Sequence, residues 1–340
     1  MHASQQRTWA RSGIETSVMG FGAAQLGNFM APISEETAAE LIQATWDAGI
    51  RFFDTAPSYG HGLSEARLGQ GLRWQPRDQF VLATKVGRLL TPRRREEIDF
   101  GGWIKGLPFD WRFDYSYDGA MRSIEDSLQR TGLEYIDVAL IHEVDVYTHG
   151  RQQPEVFDHA MNGAGRALLE LRDQGVVKSI GVGVNESDVA HEAIRRVDFD
   201  CLLLAGRYTL IEQDALDGFL PRCEAQGVSV IVGGGYNSGI LATGAVPGAR
   251  YNYAPAPAPI LQRVQSIEDV CRAFDVPLRS AALQFIAAHP AVANFIPGVR
   301  SVQQLTENIV TFEHDIPHDF WHELKRRALI REDAPTPASH

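Results

Sequence analysis

Four polar residues stand where short apolar segments end, and together they could move a proton to or from a substrate oxygen. Asp54 ends one such segment and Tyr59 follows it, while Lys85 and His142 end the next two. A tyrosine is a poor acid or base at neutral pH, because its ordinary pKa is about 10. A neighbouring lysine favours the phenolate, and a carboxylate such as Asp54 would hold that lysine in place. With His142 donating a hydrogen bond to the substrate, the set suits acid–base chemistry at a carbonyl or alcohol, coupled to hydride transfer by a cofactor.

Taken singly, these residues also have structural explanations. An aspartate before a turn is commonly a cap, a tyrosine beside a glycine commonly packs, and a histidine at a strand end is commonly a satisfied structural residue. Lys85 is the exception, because an ammonium group rarely lies in an apolar strand without a partner. The chemical interpretation therefore depends on whether the fold brings the four residues together.

The elements that must position these residues follow one rhythm along the chain. Short apolar or Gly-rich segments alternate with longer amphipathic ones, as in βα units. The predicted strands are 19–24, 51–56, 80–86, 136–142, 179–184, 201–205, 229–233 and 294–297. The predicted helices are 35–48, 63–73, 117–131, 158–175, 187–197, 214–226, 260–274, 279–288, 302–312 and, at the C-terminus, 317–330. Eight such units in about 300 residues predict an α/β fold, a closed (β/α)8 TIM barrel whose strand ends share one mouth.

The segments outside these units define the organisation of the barrel. Residues 20–27 lack the GxGxxG pattern of an open nucleotide-binding sheet. The largest insertion, 89–114, follows predicted strand three and is a candidate substrate lid, while the proline-rich segment 254–259 predicts a loop. We expect a single domain over 1–340, with an ordered core over 14–330 and a tail over 331–340 that is mobile unless it is pinned.

Composition excludes several classes of protein. The chain has 340 residues, a net charge of −11 and 44% hydrophobic residues, which is typical of globular domains and disfavours nucleic-acid binding. Apolar runs are too short for a membrane span. Three scattered cysteines and a polar N-terminus favour a reduced, cytoplasmic protein. Only His142 among the eleven histidines ends a predicted strand, so a metal-dependent barrel hydrolase is disfavoured and no metal is expected.

The sequence resembles the aldo-keto reductase family over nearly its whole length. The segment 53–60, followed by Ser64-Glu65 and Leu68-Gly69, is similar to the family's Asp and Tyr signature. Thr84-Lys85 and the segment 140–142 match its Lys and His positions. The resemblance implies roles for four residues: Tyr59 as proton donor or acceptor, Asp54 and Lys85 as the pair that tunes it, and His142 as the substrate orienter. It also implies NAD or NADP bound without a Rossmann fold.

The resemblance further implies cofactor contacts in three places. Asn185 stands where the family holds the nicotinamide amide, and the segment 237–241 fits the loop that covers the pyrophosphate. The segment 296–308 resembles the loop and helix start that meet the adenosine phosphate. The cofactor-binding residues predicted in this way are Asn185, Ser238, Gly239, Leu241, Gly298, Arg300, Gln304, Glu307 and Asn308.

Two departures from the family pattern bear on the cofactor. Gly233 stands where a tyrosine usually stacks on the nicotinamide, which leaves Tyr236 and Tyr208 as the candidates for stacking. Gln304 replaces an arginine common in NADP-selective members. Arg300 remains available for a 2′-phosphate, so the choice between NAD and NADP stays open.

Groups on the insertion and near the strand ends are candidates for the substrate wall. Candidates for hydrogen bonds to substrate hydroxyls, or else solvated charges, are Asp110, Arg112, Glu143 and Asp145. Candidates for a flat apolar wall, or else packing residues, are Trp103, Phe109 and Trp111.

Three further segments, 114–119, 183–186 and 236–241, resemble the sugar 1-dehydrogenase branch of the family. That branch includes D-threo-aldose or L-fucose dehydrogenases, which oxidise an anomeric hydroxyl to a lactone, and pyridoxal 4-dehydrogenases, which oxidise the hemiacetal of pyridoxal. We expect an NAD(P)-dependent aldose 1-dehydrogenase acting on a sugar such as L-fucose. The alternatives are a pyridoxal 4-dehydrogenase, an aldehyde or ketone reductase, and, in a different class, a non-catalytic barrel that only binds. The oligomeric state is not predicted.

Overall fold

Eight short parallel strands form one barrel in the computed structural model, which describes residues 1–338. They are β1 (Phe21–Gly22), β2 (Phe52–Asp54), β3 (Val81–Val86), β4 (Val138–His142), β5 (Ser179–Val184), β6 (Cys201–Ala205), β7 (Ser229–Gly233) and β8 (Val292–Ile296). Neighbours pair in chain order from β1 to β8. Isolated bridges from Met19 to Phe295 and from Gly22 to Gly298 join β8 back to β1. The predicted TIM barrel is therefore confirmed.

Helices cover the outside of this barrel. In the described part of the chain they are α1 (Glu35–Asp47), α2 (Leu63–Leu72), α3 (Tyr117–Thr131), α4 (Val146–His149), α5 (Gln153–Asn162), α6 (Ala164–Asp173), α7 (Ser187–Arg196), α8 (Phe219–Gln226), α9 (Ile240–Thr243), α10 (Ala258–Ala273), α11 (Leu278–Ala287), α12 (Val302–Phe312) and α13 (His318–Arg326). Among these residues no helix is long and apolar enough to cross a membrane.

Short elements complete the chain between these helices and strands. The 3₁₀ helices are Ala23–Gly27, Arg77–Gln79, Arg95–Glu97, Gly150–Gln152 and Asp214–Leu216. Antiparallel hairpins pair Gln6–Thr8 with Glu15–Ser17, Arg88–Pro92 with Phe109–Phe113, and Arg250–Tyr251 with Ala254–Pro255. The predicted insertion after strand three thus contains a hairpin that the sequence analysis did not identify.

Several predicted bounds are wrong in detail. The helix predicted over 158–175 is broken at Gly163, where φ −101° and ψ −84° let the amide of Ala164 bond to the carbonyl of Tyr115 at 2.9 Å. The proline-rich segment predicted as a loop supplies the first two residues of α10, because Pro259 lies where a helix needs no amide hydrogen, and Ala254–Pro255 forms a short strand. Predicted strand one is shorter than expected, because Ala23–Gly27 turns into a 3₁₀ helix.

Helices predicted over 214–226 and 317–330 are also shorter than expected. Gly218 at φ 106° separates a 3₁₀ turn from α8. The C-terminal helix is confirmed, but it ends at Arg326, and a turn with Ala328 at φ 52° then brings Ile330 back into the core.

Both ends of the chain pack against the barrel. The indole of Trp9 is fully buried and donates to Thr16 Oγ1 at 3.0 Å and Asn294 Oδ1 at 3.1 Å, so residues before the predicted core start also belong to the core. At the other end, the Arg331 amide bonds to Gln213 at 2.8 Å and Ala334 is buried. The start of the predicted tail is therefore pinned, and the part of that prediction concerning residues 339–340 lies outside the described residues.

Candidate active site

Asp54 and Lys85 form a buried ion pair at the carboxyl ends of β2 and β3. The Lys85 ammonium donates to Asp54 Oδ1 at 2.8 Å, to Asp54 Oδ2 at 2.9 Å and to the Thr55 carbonyl at 2.8 Å. The two strands pair with Asp54 opposite Ala83, which brings both side chains into the barrel mouth. Burial raises the pKa of Asp54, and the Lys85 charge partly offsets that rise.

Tyr59 lies in the loop after β2, and close backbone packing fixes this loop. Gly60 has φ 64°, and a Cβ atom there would lie 2.5 Å from the carbonyl oxygen of Gly27. The Ser64 hydroxyl bonds to Thr55 Oγ1 and to the Ala23 carbonyl, each at 2.8 Å. The loop is thereby held between β1 and α2, which explains why small residues flank the tyrosine.

The Tyr59 ring lies among the other residues predicted for catalysis. Its centroid is 5.1 Å from Lys85 Nζ and 6.0 Å from the His142 ring, and the Trp103 indole lies over it at 5.4 Å and 30°. Burial, followed by the Asp54 and Glu143 carboxylates, raises the pKa of Tyr59 well above 10. The expected lowering of the Tyr59 pKa by Lys85 is therefore not found, since the upward direction of the shift favours the neutral phenol and Lys85 is shared with Asp54.

His142 ends β4 and lies beside Tyr59 with little exposure. Its carbonyl accepts a hydrogen bond from the Tyr115 hydroxyl at 2.8 Å, and its Nδ1 is buried without a partner among the described residues. Burial, followed by the Arg88 and Lys85 charges, lowers the pKa of His142 well below 6.5. The imidazole is therefore neutral and can donate one hydrogen bond.

The four residues predicted for catalysis are thus brought together, and a polar network surrounds them. Glu143 accepts from Arg88 Nη2 at 2.5 Å and from Asn185 Nδ2 at 3.3 Å. Asp145, which is fully buried, accepts from the amide and the side chain of Asn185 at 2.7 and 3.0 Å. Asp145 is therefore not a solvated charge on the rim. Sequence reasoning missed Arg88, although a charged residue three positions after Lys85 is a usable signal.

The insertion forms a wall beside Tyr59. Amides of Met30 and Ile104 bond to the carbonyls of Gly102 at 2.7 Å and Asn28 at 3.0 Å, which ties the insertion to the loop after β1. Of the three predicted wall aromatics, Trp103 faces Tyr59, whereas the Trp111 ring lies 5.2 Å from the Arg88 guanidinium.

A cleft of about 350 Å³ opens from Tyr59 across the ends of β5 to β8. Glycines leave room at several points of its walls: a Cβ atom at Gly206, Gly233 or Gly298 would have its nearest neighbour at 3.8, 3.7 or 3.6 Å. Of the predicted cofactor residues, those that line the cleft are Asn185, Ser238 and Gly298. A smooth wall with amide and hydroxyl groups at its edges fits a flat, polar ligand such as a dinucleotide.

The start of α12 lies beyond this cleft. Arg300 donates from Nε to Gln25 Oε1 at 2.8 Å and from Nη2 to the Phe29 carbonyl at 2.7 Å, and its amide bonds to Gln304 Oε1 at 2.9 Å. Ser301 caps the helix by accepting from the Gln304 amide at 3.2 Å. This places a cation and a helix N-terminus side by side.

The remaining predicted cofactor residues are occupied elsewhere and do not line the cleft. Glu307 lies 3.4 Å from Arg279 Nη1, and Asn308 accepts from the Tyr236 hydroxyl at 3.0 Å. Leu241 is buried, and the amides of Gly239 and Leu241 already bond to the Tyr236 carbonyl.

Both tyrosines predicted to stack on the nicotinamide lie away from the cleft. Tyr208 is fully buried against Phe285 at 5.2 Å, and Tyr236 is held by Asn308. Two other tyrosines, Tyr147 and Tyr253, line the cleft mouth instead. They come from the loops after β4 and β7, and no sequence pattern pointed to them.

Comparison with known proteins agrees with this geometry. The model of the Aldo/keto reductase family matches residues 18–328. A pyridoxal 4-dehydrogenase from Microbacterium luteolum is 42% identical, over 97% of this chain and 99% of that protein. A D-threo-aldose 1-dehydrogenase from a Pseudomonas species is 38% identical, over 98% of this chain and 100% of that protein. The solved holo form of an aldo-keto reductase from Bacillus halodurans superposes with a TM-score of 0.75 at 25% identity, covering 99% of both chains.

Proposed function

Because the chain belongs to the aldo/keto reductase family, we propose that it is an NAD(P)-dependent dehydrogenase that oxidises a cyclic hemiacetal to a lactone. The substrate class we infer first is an aldose such as L-fucose, oxidised at its anomeric hydroxyl. The observation that carries this proposal is the convergence of Asp54, Lys85, Tyr59 and His142 at one end of a cleft that several glycines line. That arrangement supports an acid–base role for Tyr59 beside a cleft that would hold the dinucleotide.

The cleft supports binding of the cofactor through groups of this chain. Asn185 is held by Asp145 and Glu143 through its side-chain Nδ2, which leaves its side-chain Oδ1 available to accept from a carboxamide. Ser238 and the α12 N-terminus with Arg300 supply donors for phosphates. A bound nicotinamide dinucleotide would accept hydride from the substrate's C1 carbon.

Tyr59 is the acid–base residue in this proposal. As the hemiacetal is oxidised, Tyr59 in its phenolate form takes the proton of the anomeric hydroxyl, while the C1–H electron pair leaves as hydride and the C1=O bond of the lactone forms. The ring oxygen eases this loss by stabilising positive charge at C1. In the reverse direction the phenol, which the raised pKa of Tyr59 favours, donates its proton to a carbonyl oxygen.

His142 and the buried pair position the reacting groups. Neutral His142 donates a hydrogen bond to the substrate oxygen and so holds it near Tyr59. Lys85, oriented by Asp54, supplies positive charge 5.1 Å from the Tyr59 ring centroid, which stabilises the phenolate as it forms.

Pyridoxal is the second candidate substrate. The observation in its favour is the 42% identity to a pyridoxal 4-dehydrogenase over almost the whole chain. Its hemiacetal is oxidised by the same step, and the Trp103 indole offers a flat surface for an aromatic ring.

A substrate panel tests the proposal. The protein is incubated with NAD⁺ or NADP⁺ and, in turn, L-fucose, other aldoses and pyridoxal, and the reduced nicotinamide is followed by absorbance and the lactone by mass spectrometry. We expect turnover with at least one hemiacetal and a loss of about 10²–10⁴-fold in kcat for Tyr59→Phe. No turnover with any of these substrates, or a Tyr59→Phe variant as active as the wild type, would contradict the proposal.

A further inference from the structure

Glu143 follows His142 directly and adopts a left-handed backbone conformation, with φ 50°. A glycine takes this conformation without strain, whereas a glutamate keeps it only where surrounding contacts enforce it. Here the Glu143 amide donates to the Gly183 carbonyl at 2.7 Å, and the Glu143 carbonyl accepts from the Tyr115 hydroxyl at 3.2 Å. A strained turn that carries a carboxylate beside the predicted catalytic residues indicates a functional constraint.

Two partners hold the Glu143 carboxylate in one place. Its oxygens accept from Arg88 Nη2 at 2.5 Å and from Asn185 Nδ2 at 3.3 Å. The Arg88 side chain is itself buried, and its guanidinium carbon lies 5.2 Å from the Trp111 ring centroid and 4.9 Å from that of Phe113. The hairpin of the insertion therefore anchors the arginine, and the arginine anchors the carboxylate.

The Glu143 carboxylate also retains unused capacity to accept hydrogen bonds. An ionised carboxylate has about four acceptor positions, of which Arg88 and Asn185 occupy two. Of the Glu143 side chain, 29% remains exposed. After burial and Asp54, the Glu143 charge is the next cause that raises the pKa of Tyr59, so the carboxylate lies close to that phenol. The open positions are thus available to a ligand that reaches Tyr59.

The other three polar residues predicted to meet substrate hydroxyls are less suited to that role. Asp145 is fully buried and already bonded to Asn185. Asp110 accepts from the next amide in the chain at 3.0 Å, and the Arg112 side chain is 61% exposed on the hairpin. Of these four residues, Glu143 alone combines a fixed position, open acceptor positions and proximity to the predicted catalytic residues.

We propose that Glu143 is a specificity-determining residue that accepts a hydrogen bond from the hydroxyl on the substrate carbon next to the anomeric carbon. This inference rests on the proposed function and deepens it toward an aldose. In that function His142 holds the anomeric oxygen, and Glu143, the next residue, reaches the neighbouring hydroxyl. Arg88 acts through Glu143 as a positioning residue. A sugar that lacks this hydroxyl leaves the carboxylate without its partner and is disfavoured.

A pair of sugars that differ in one hydroxyl tests the inference. We measure kcat/KM for the aldose that the wild type oxidises best and for its 2-deoxy analogue, and we compare their ratio between variants, so that the intrinsic reactivities cancel. For Glu143→Ala we expect this ratio to fall about 10–100-fold, because a hydrogen bond to a charged group is lost. Glu143→Gln keeps an acceptor without the charge, so its ratio should fall less, by about three- to tenfold.

Two sets of variants serve as comparisons. Glu186→Gln changes the net charge as Glu143→Gln does, but Glu186 accepts from the amides of Val146 and Tyr147 at 2.9 and 3.1 Å, and we expect the wild-type ratio. Arg88→Met should lower the ratio, and Arg88→Lys, which keeps the charge, should restore part of it, which tests the inference independently of any Glu143 variant. Calorimetric titration with the dinucleotide should give wild-type affinity for Glu143→Gln, which excludes an effect through the cofactor.

The outcomes distinguish this inference from the function on which it rests. If the Glu143 and Arg88 variants lose activity equally on both sugars, or lose none, the inference is wrong and the proposed function stands. If Glu186→Gln lowers the ratio as much as Glu143→Gln, overall charge is responsible and the inference is again wrong. If the wild type oxidises pyridoxal but no aldose, hemiacetal oxidation stands and the inference fails. If it oxidises neither, both fail.

Discussion

In the proposed function Tyr59 is the acid–base residue, and its environment favours the neutral phenol. Burial and two carboxylates raise its pKa, while Lys85, 5.1 Å from the ring centroid, is already paired with Asp54. The nearby His142 is kept neutral by burial and by two cations. Two side chains whose pKa values are shifted in opposite directions therefore lie side by side: Tyr59 tends to keep its proton, and His142 tends to stay uncharged.

The raised pKa of Tyr59 gives the two reaction directions opposite pH dependence. Oxidation needs the phenolate, whose fraction grows as pH rises toward the raised pKa, whereas reduction needs the phenol, which predominates below it. We expect kcat/KM for oxidation to increase from about pH 6 to about pH 9, and kcat/KM for reduction to stay level or fall over that range. Initial rates in both directions check this, and an oxidation rate that declines as pH rises would contradict the role of Tyr59.

At the scale of elements, the site depends on how closely two loops approach. The loop after β2 lies so near the 3₁₀ helix after β1 that only glycines fit at positions 27 and 60. This contact holds the loop that carries Tyr59, and the insertion packs the Trp103 indole over the Tyr59 ring. Tyr59 is thus positioned by loops, while the strands position Asp54, Lys85 and His142.

Alanine substitutions at two glycines measure how much this close contact contributes to stability and activity. Gly60 and Gly132 have nearly equal φ values of 64° and 62°, but a Cβ atom would meet Gly27 at 2.5 Å in the first case and nothing within 4 Å in the second. Gly132→Ala should lower the free energy of unfolding by about 1–2 kcal/mol and leave activity intact. Gly60→Ala should lower it by about 1–3 kcal/mol more and reduce kcat/KM as Tyr59 shifts. Denaturant unfolding and steady-state kinetics measure both, and equal effects at the two positions would refute the close-contact argument.

Features that depend on local sequence patterns could be predicted from the sequence, whereas features that depend on contacts between distant residues could not. Strand order and the convergence of Asp54, Lys85 and His142 follow from local hydrophobic patterns, because parallel strands bring their carboxyl ends to one mouth. The hairpins within the insertion and at 250–255 escaped prediction, since pairs of two to five residues carry little pattern. Tyr253 was missed for the same reason: its place over the cleft depends on contacts with Arg207 and Ser238, which are distant in sequence.

At the scale of the whole molecule, charge opposes the proposed ligand. The chain carries a net charge of −11, yet a dinucleotide is an anion, so binding must depend on local groups. Arg300, which donates to Gln25 and Phe29 beside the α12 N-terminus, is the cation that we propose for a phosphate.

Substitutions at two arginines distinguish the effect of a local charge on dinucleotide binding from the effect of the net charge. Arg300→Met and Arg272→Met change the net charge equally, but Arg272 lies exposed on α10, paired with Asp269. We expect Arg300→Met to weaken binding of the preferred dinucleotide about tenfold or more, and Arg272→Met to change it less than about twofold. Calorimetric titration of both variants measures this, with Arg300→Lys as a charge-retaining comparison. Equal losses in the two methionine variants would assign the effect to overall charge instead.

The central claim is that hydride leaves the carbon of a hemiacetal while Tyr59 takes the hydroxyl proton. The most direct test uses L-fucose deuterated at C1 and pyridoxal deuterated at its aldehyde carbon, each with NAD⁺ or NADP⁺, followed by mass spectrometry of the nicotinamide and of the product. We expect deuterium in the reduced nicotinamide and an unlabelled lactone. In Tyr59→Phe we expect deuterium transfer to be about 10²–10⁴-fold slower, with the dinucleotide affinity unchanged. Product formed without deuterium in the nicotinamide, or label transfer in Tyr59→Phe at the wild-type rate, would contradict it.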